Sequence, residues 1–188
     1  MSELLDLHAQ AMAEFDRRAR QVQVHQWGQA TPCRQWDVHD LLNHLVSEQL
    51  WVPHLLNGGT IEEAGDRYDG DVLGEEPVAT WEVASRESRS AWLQPGATER
   101  TVHLSFGDAS SSLYLWQMTF DLTVHAWDMA RAIGADEKLD PGLAAEVLQW
   151  ARGQFTEGES GELFDAPVPV AEDADNQTRL LALTGRHV

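Results

Sequence analysis

Residues 113–133 read LYLWQMTFDLTVHAWDMARAI and are followed by Gly134. Serines at positions 110–112 offer N-terminal caps ahead of this run, and glycine is common just past a helix C-terminus. The run therefore predicts a helix over about residues 113–133. Asp121 and His125 are four residues apart, so their side chains lie on one face of that helix, with β-carbons about 5–6 Å apart.

Apolar residues at three- and four-residue steps predict further amphipathic helices on both sides of this run. Asp37 is placed to cap a helix that begins near Val38, and Pro53 is expected to kink or end that helix. The other predicted elements are helices over about residues 3–24, 61–65, 78–93, 140–155 and 176–183, and a short extended piece over residues 101–106.

Four long helices, joined by turns and by one long connection over residues 60–76, are typical of a helical bundle. The sequence therefore predicts a mostly α protein, a four-helix bundle with an extra helix and a packed C-terminal tail. The tail is expected to pack because it contains apolar residues, namely Leu163, Phe164, Val168 and Val170. We divide the chain into a helical bundle over residues 1–160 and a C-terminal extension over residues 161–188 that is not a separate domain.

The composition excludes several classes of function. The 188 residues include 31 acidic and 13 basic side chains, a net charge of −18, which would repel nucleic-acid phosphates and anionic lipid. No stretch approaches the ~20 apolar residues that span a bilayer, and the N-terminus does not resemble a signal peptide. Cys33 is the single cysteine, which excludes an internal disulfide and a thiolate-only zinc site. We expect a cytoplasmic protein with no nucleic-acid or membrane partner.

Three side chains form a candidate metal site. His44 lies in the apolar run of the helix that begins near Val38, so an inward imidazole needs a polar partner. Together with Asp121 and His125 on a facing helix, it could form a three-ligand site with an open position. Zinc is the first candidate, and nickel or iron also suits two imidazoles and a carboxylate. The alternative is a core histidine bonded to a backbone carbonyl, with Asp121 and His125 paired to each other.

Two motifs carry a family resemblance. The segment from Thr31 reads TPCRQWDVHDLLNHLV, and the segment from Asp121 reads DLTVHAWDMARAIG. Both resemble signatures of the mycothiol-dependent maleylpyruvate isomerase N-terminal family, a branch of the DinB-like superfamily of metal-binding four-helix bundles. The resemblance implies that His44, Asp121 and His125 hold a divalent metal. Asp121 stands where that family often has glutamate or histidine.

The resemblance also implies a function. It suggests a mycothiol-dependent isomerase or transferase that acts on a small electrophile, with the thiol as cosubstrate. The isomerase itself has a further C-terminal α/β domain, for which too few residues follow Gly134, so we do not expect maleylpyruvate as the substrate. The C-terminal run from Pro167 is similar to that of a short, uncharacterised subfamily. Bundles of this type often pair, which makes a homodimer an open expectation.

Several nearby residues admit two interpretations. Glu48, one turn after His44, is a candidate catalytic residue as a general base, and could instead support a ligand or be an extra metal ligand. The alternative is a solvent-facing acid on the rim. Asp128 either orients His125 or pairs with Arg131. Cys33 either reacts near the metal or packs as a small hydrophobe.

Two other functions remain open from the sequence alone. One is a metal- or small-ligand-binding bundle without turnover, which would lack an acid or base beside the metal. The other is an interaction module with a vestigial site, which an outward apolar patch and no bound metal would favour.

Overall fold

The computed structural model describes residues 2–154 and 165–188 and is mostly helical. The predicted mostly α fold is confirmed. The elements are α1 (Ser2–Ala19), α2 (Val38–Leu56), α3 (Ile61–Ala64), α4 (Pro77–Trp92), β1 (Thr101–Leu104), β2 (Gly107–Ser110), α5 (Ser111–Ile133), α6 (Pro141–Gln154) and α7 (Asn176–Leu183).

The four long helices α1, α2, α4 and α5 form the bundle as two tightly packed pairs. Helix α1 packs mainly on α5, and α2 packs mainly on α4, whereas α2 and α5 contact each other less. Fully buried apolar side chains fill the interior, for example Phe15, Leu45, Trp81 and Leu122. Burial of these faces, at about 25 cal/mol for each Å² of apolar surface, holds the pairs together.

Helix α5 begins and ends as its sequence predicts. The Ser110 side chain accepts a hydrogen bond from the Leu113 amide at 3.2 Å, which satisfies one of the free amides of the first turn. At the other end Gly134 has a φ of 69° and donates its amide to the Ala130 carbonyl. A left-handed residue is favourable there only for glycine or asparagine, so the helix ends at Ile133.

Helix α2 also begins as predicted, at a reciprocal cap. Asp37 accepts from the Asp40 amide at 2.9 Å, and Asp40 accepts from the Asp37 amide at 3.2 Å. Pro53 does not end the helix, which continues to Leu56, and the alternative of a kink at Pro53 stays a prediction. Asn57 then caps the C-terminus by donating to carbonyls of the last turn.

Two other elements differ from the prediction. Helix α1 ends at Ala19, and the residues up to 24 turn away from it instead of extending it. The extended piece predicted over residues 101–106 is the first strand of a hairpin, in which Thr101 pairs with Ser110 and Leu104 with Gly107. The second strand reads Gly-Asp-Ala-Ser and has no alternation of apolar residues that would predict it.

The C-terminal tail packs on the bundle through α7. Leu180 and Leu181 are fully buried in the main core, and the Val168 amide donates to the Ala182 carbonyl at 2.9 Å. Leu163, Phe164, the predicted end of α6 at residue 155 and the boundary at residue 160 lie outside the described residues, so the division of the chain stays a prediction. None of the described helices is long and apolar enough to cross a membrane.

Candidate metal centre

His44, Asp121 and His125 come together between α2 and α5, as the sequence predicts. The two oxygens of Asp121 face one imidazole each: Oδ2 lies 3.2 Å from His44 Nε2, and Oδ1 lies 3.2 Å from His125 Nε2. The ring centroids of the two histidines are 5.2 Å apart. The open alternative in which His44 bonds a backbone carbonyl is therefore not the arrangement seen.

The donor atoms of these three residues fit a divalent metal ion. One ligand atom from each lies within 4.8 Å of the others. Metal–nitrogen and metal–oxygen bonds of about 2.0–2.2 Å at a tetrahedral angle separate the donors by about 3.3 Å. Each imidazole Nε2 lies 3.2 Å from a different oxygen of Asp121, which is close to that separation for each nitrogen–oxygen pair. Helices α2 and α5 hold the donors, so little ordering remains to be done when a cation binds.

Asp128 fixes the far side of the His125 ring. Its Oδ2 lies 2.9 Å from His125 Nδ1, and the residue is fully buried. A proton on Nδ1, donated to Asp128, makes Nε2 the ring nitrogen that faces Asp121 and the candidate site, where it donates to Asp121 while protonated and would offer its lone pair once a metal replaced that proton. Arg131 instead pairs with Glu137 at 2.9 Å. The geometry therefore favours the interpretation in which Asp128 orients His125.

Arg186, from the C-terminal tail, neutralises Asp128. Its guanidinium donates to both carboxylate oxygens, at 2.7 Å to Oδ2 and 3.2 Å to Oδ1. Cys33 also donates to Asp128 Oδ2, with Sγ at 3.3 Å, and it lies 3.7 Å from His125 Nδ1. The thiol is thus on the Nδ1 side of His125, away from the Asp121 side. Cys33, His125 and Asp128 form a second group of potential metal ligands. The guanidinium of Arg186, 3.6 Å from Sγ, already supplies a positive charge to this group.

The charges of Asp121 and His125 favour a cation at this site. Burial alone would raise the pKa of Asp121, but the neighbouring imidazoles, His125 first and then His44, hold it well below its usual range. Burial alone would lower the pKa of His125, but Asp121 and Asp128 raise it well above its ordinary value. Asp121 is therefore ionised, and a proton on His125 balances its charge in the absence of other cations. A metal ion at this site would displace that proton.

Glu48 lies partly buried beside this cluster. Burial, and then the charge of Asp121, raise the pKa of Glu48, while the two imidazoles oppose the shift. Among the described residues, no hydrogen bond or ion pair holds its carboxyl group. This environment differs from that of a rim acid in open solvent, and it leaves the carboxyl free to exchange a proton.

The loop before α2 forms the outer wall of the site. The indole of Trp36 lies over both imidazoles, with its ring centroid 4.9 Å from that of His44 and 5.9 Å from that of His125. Backbone bonds from Val38 to Gln29 and from Thr31 to Trp36 close the loop on itself. It surrounds a depression of about 410 Å³ that Cys33 and Trp36 help to line.

Two residues of the site were not among the predicted candidates. Trp36 is part of the quoted motif, and its place two residues before the helix start is the signal that could have identified it. Arg186 lies 58 residues from Asp128, and nothing in a single sequence indicates that they pair.

The fold and the site together define a DinB-like helical bundle with a two-histidine, one-carboxylate cluster between α2 and α5. The family model described as the mycothiol maleylpyruvate isomerase N-terminal domain matches residues 8–130. The chain therefore belongs to this family, as the two motifs predict.

Similar proteins agree with this assignment. An uncharacterised protein of Mycobacterium tuberculosis, Rv0738 of strain H37Rv, is 30% identical over 188 residues, covering 96% of each chain. Crystal structures of the mycothiol-dependent maleylpyruvate isomerase and of a histidine-to-alanine variant superpose with TM-scores of 0.63 and 0.65 at 17% and 16% identity. Each match covers 87% of this chain and 74% of the isomerase chain, and the two structures confirm the fold. A local match to aminopeptidase N of Escherichia coli, 44% identical over 63 residues, spans 7% of that protein and carries no argument.

Proposed function

We propose that this protein binds one divalent metal ion through His44, Asp121 and His125 and catalyses a thiol-dependent isomerisation or transfer on a small electrophile. One observation carries the proposal: two imidazoles and a carboxylate from two facing helices bring one ligand atom each to within 4.8 Å of the others. Membership of the family supports a thiol cosubstrate, since the family is named after an isomerase that depends on mycothiol. Mycothiol is therefore the cosubstrate that we propose.

The donor set favours zinc, with nickel or iron as the other candidates. When bound, such a metal would lower the pKa of a thiol ligand and so supply a thiolate at neutral pH. Three protein ligands leave a position open for that sulfur. The shorter side chain of Asp121, compared with glutamate, limits how far the carboxylate can reach from α5.

The surrounding residues have separate roles in this proposal. Asp128, held by Arg186, keeps the proton of His125 on Nδ1 and so keeps Nε2 available as a ligand. Glu48 accepts the thiol proton and returns it to the product. Trp36 and the loop around it exclude water from one side of the site, where the electrophile enters.

Metal content tests the first half of the proposal. We expect about one equivalent of zinc, nickel or iron in purified, untagged protein, and loss of that metal in His44→Ala and His125→Ala. His25→Ala, which changes an exposed histidine outside the site, is the matched control. A wild-type protein that takes up none of these ions on incubation would overturn the proposal and favour an interaction module.

Glu48→Gln tests the second half. If the protein is an enzyme, this variant keeps its metal but loses most of its consumption of mycothiol with electrophiles, because general acid–base catalysis typically contributes 10²–10⁴-fold. If metal-loaded wild-type protein binds mycothiol but turns over no electrophile, the protein is the non-catalytic binding bundle, and the role of Glu48 is abandoned. A homodimer and a cytoplasmic location stay predictions.

A further inference from the structure

Away from the metal site, the bundle buries uncharged polar side chains that lack hydrogen-bond partners. Within residues 2–154 and 165–188 there are six such side chains; the ring of Trp127 contacts Arg131, and the other five come from all four long helices. They are His8 on α1, Gln49 on α2, Ser88 and Trp92 on α4, and Tyr114 on α5, and each is at least 96% buried. For His8 and Gln49, both polar atoms of the side chain are unpartnered.

Three of these side chains are direct neighbours. The His8 and Trp92 rings have centroids 6.1 Å apart, and the Trp92 and Tyr114 rings have centroids 5.6 Å apart. They come from α1, α4 and α5, so they join three helices across the interior. The negative charge of Glu48 is one of the influences that raise the pKa of Tyr114, which places the phenol on the side of the bundle where Glu48 lies.

Gln49 and Ser88 lie at the same level of the bundle. Helices α2 and α4 run in the same direction, since the segment that leads into α4 bonds to Asn43 near the start of α2. Further along, Pro53 of α2 and Ala91 of α4 line one surface depression. Gln49 is about one turn before Pro53, and Ser88 is about one turn before Ala91. Ser88 is also four residues before Trp92, so the two side chains share one face of α4. We call the five side chains the polar layer.

The buried polar groups of these five side chains need hydrogen-bond partners. A buried donor or acceptor that lacks a hydrogen bond is costly, and such groups are rare in folded proteins. Pro53 has no amide to donate to the Gln49 carbonyl four residues before it, so that carbonyl lacks its usual helical donor. Burial, and then the charge of Arg89, lower the pKa of His8 to about 3, so at neutral pH its ring offers one donor and one acceptor.

We infer that His8, Gln49, Ser88, Trp92 and Tyr114 line an internal site that binds ordered water. The five side chains mix donors with acceptors and carry no charge of their own, which matches water, since water both donates and accepts. The neighbouring Arg89, whose Nη1 is likewise buried without a partner, would donate to the same water. Each buried water commonly makes about three hydrogen bonds. Water in this layer therefore links α1 and α4 to α2 and α5. The site is independent of the proposed metal and thiol chemistry.

The sign of one stability change tests this inference. Tyr114→Phe removes a single oxygen and keeps the ring. If the hydroxyl is hydrogen-bonded to buried water, its loss lowers the folding equilibrium constant about five- to tenfold. If the layer is dry, the same change removes an unsatisfied group, and the constant stays the same or rises, which would overturn the inference. Tyr68→Phe, at the other tyrosine of the chain, is the matched control.

A crystal structure at a resolution that shows water gives a second, independent test. We expect ordered water within about 2.7–3.2 Å of at least two of the five side chains. Direct pairing of these side chains with one another, or an interior without water density, would overturn the inference even if Tyr114→Phe destabilises the fold. Ser88→Ala should lose a water-mediated bond in the same way as Tyr114→Phe.

Discussion

Asp128 lies between a candidate metal ligand and an arginine from the tail, and both contacts are short. Its position decides how His125 presents Nε2 to the metal site. Because Asp128 is fully buried, the positive charge of Arg186 also offsets the cost of keeping its carboxylate ionised. Burial opposes the shift, but His125 and Arg186 lower the pKa of Asp128.

We predict that Arg186→Ala weakens metal affinity by about 10- to 100-fold, the usual cost of losing support behind a ligand. Arg186→Lys should recover part of the loss, since lysine keeps the charge but not the two-pronged contact. Affinity is measured by competition with a chelator, and the absorption spectrum of the cobalt-loaded protein reports the ligand geometry. Arg179→Ala is the control, because this arginine bonds to the carbonyls of Ala174 and Glu172 in the tail and has no contact with Asp128 within the described residues. Equal metal affinity in Arg186→Ala and the control would contradict the role.

His8 should make stability depend on pH. Its pKa is lowered to about 3 by burial and by Arg89, whereas an unfolded histidine titrates near 6.5. Below about pH 6.5 the unfolded state binds a proton that the folded state does not, so the free energy of unfolding falls as the pH drops towards 3, by at most about 1.4 kcal/mol per pH unit. Above about pH 6.5 this contribution is fully present.

Denaturant titrations over this pH range check the expected trend. His8→Gln, which does not titrate there, should give a flatter curve than the wild-type protein, and His25→Gln serves as the exposed-histidine control. Parallel curves for wild type and His8→Gln would show that His8 does not titrate differently on folding.

At the scale of single residues, the sequence predicts the candidate ligands but not their supports. His44, Asp121 and His125 follow from helical spacing and the motifs. Arg186 does not, because its contact with Asp128 depends on where α7 docks. The burial of His8 was likewise not predicted, since one histidine on an apolar stripe does not reveal what faces it.

At the scale of elements, the start of α2 matters most because it sets the position of His44. We predict that Asp37→Ala lowers the free energy of unfolding by about 1 kcal/mol, through loss of the cap to the Asp40 amide. Urea denaturation measures the change. Asp69→Ala, at an exposed aspartate outside any helix, is the control. If both variants lose the same stability, the cap does not contribute.

The predicted elements are most accurate where local chemistry decides them. The bounds of α5 and α7 follow from caps and a glycine, which act within a few residues. The sequence predicts only the first strand of the hairpin, because β2 is short and polar and its pairing with β1 comes from tertiary context. Helix α1 was predicted too long because half-buried Val22 continues its apolar stripe after the helix has ended.

At the scale of the whole molecule, the candidate site joins the two helix pairs. His44 is on the pair of α2 and α4, and Asp121 and His125 are on the pair of α1 and α5. Contacts between the two pairs are fewer than contacts within each pair. A metal bound only by the folded protein should therefore raise the free energy of unfolding by about 2.7 kcal/mol at 100 times Kd, and the melting temperature should rise with metal concentration. Thermal melts with and without zinc measure this effect, and His44→Ala should abolish it. An equal shift in His44→Ala would place the zinc elsewhere.

The loop over residues 28–37 differs in kind from the rest of the site. The ligands are on long helices with buried faces, whereas Cys33 and Trp36 are on a loop that closes through its own backbone bonds. Loops tolerate sequence change better than the elements they connect. The donors and the wall of this site are therefore separate parts of the molecule, and grafting a different loop over residues 28–37 should change which molecules enter without redesigning the bundle.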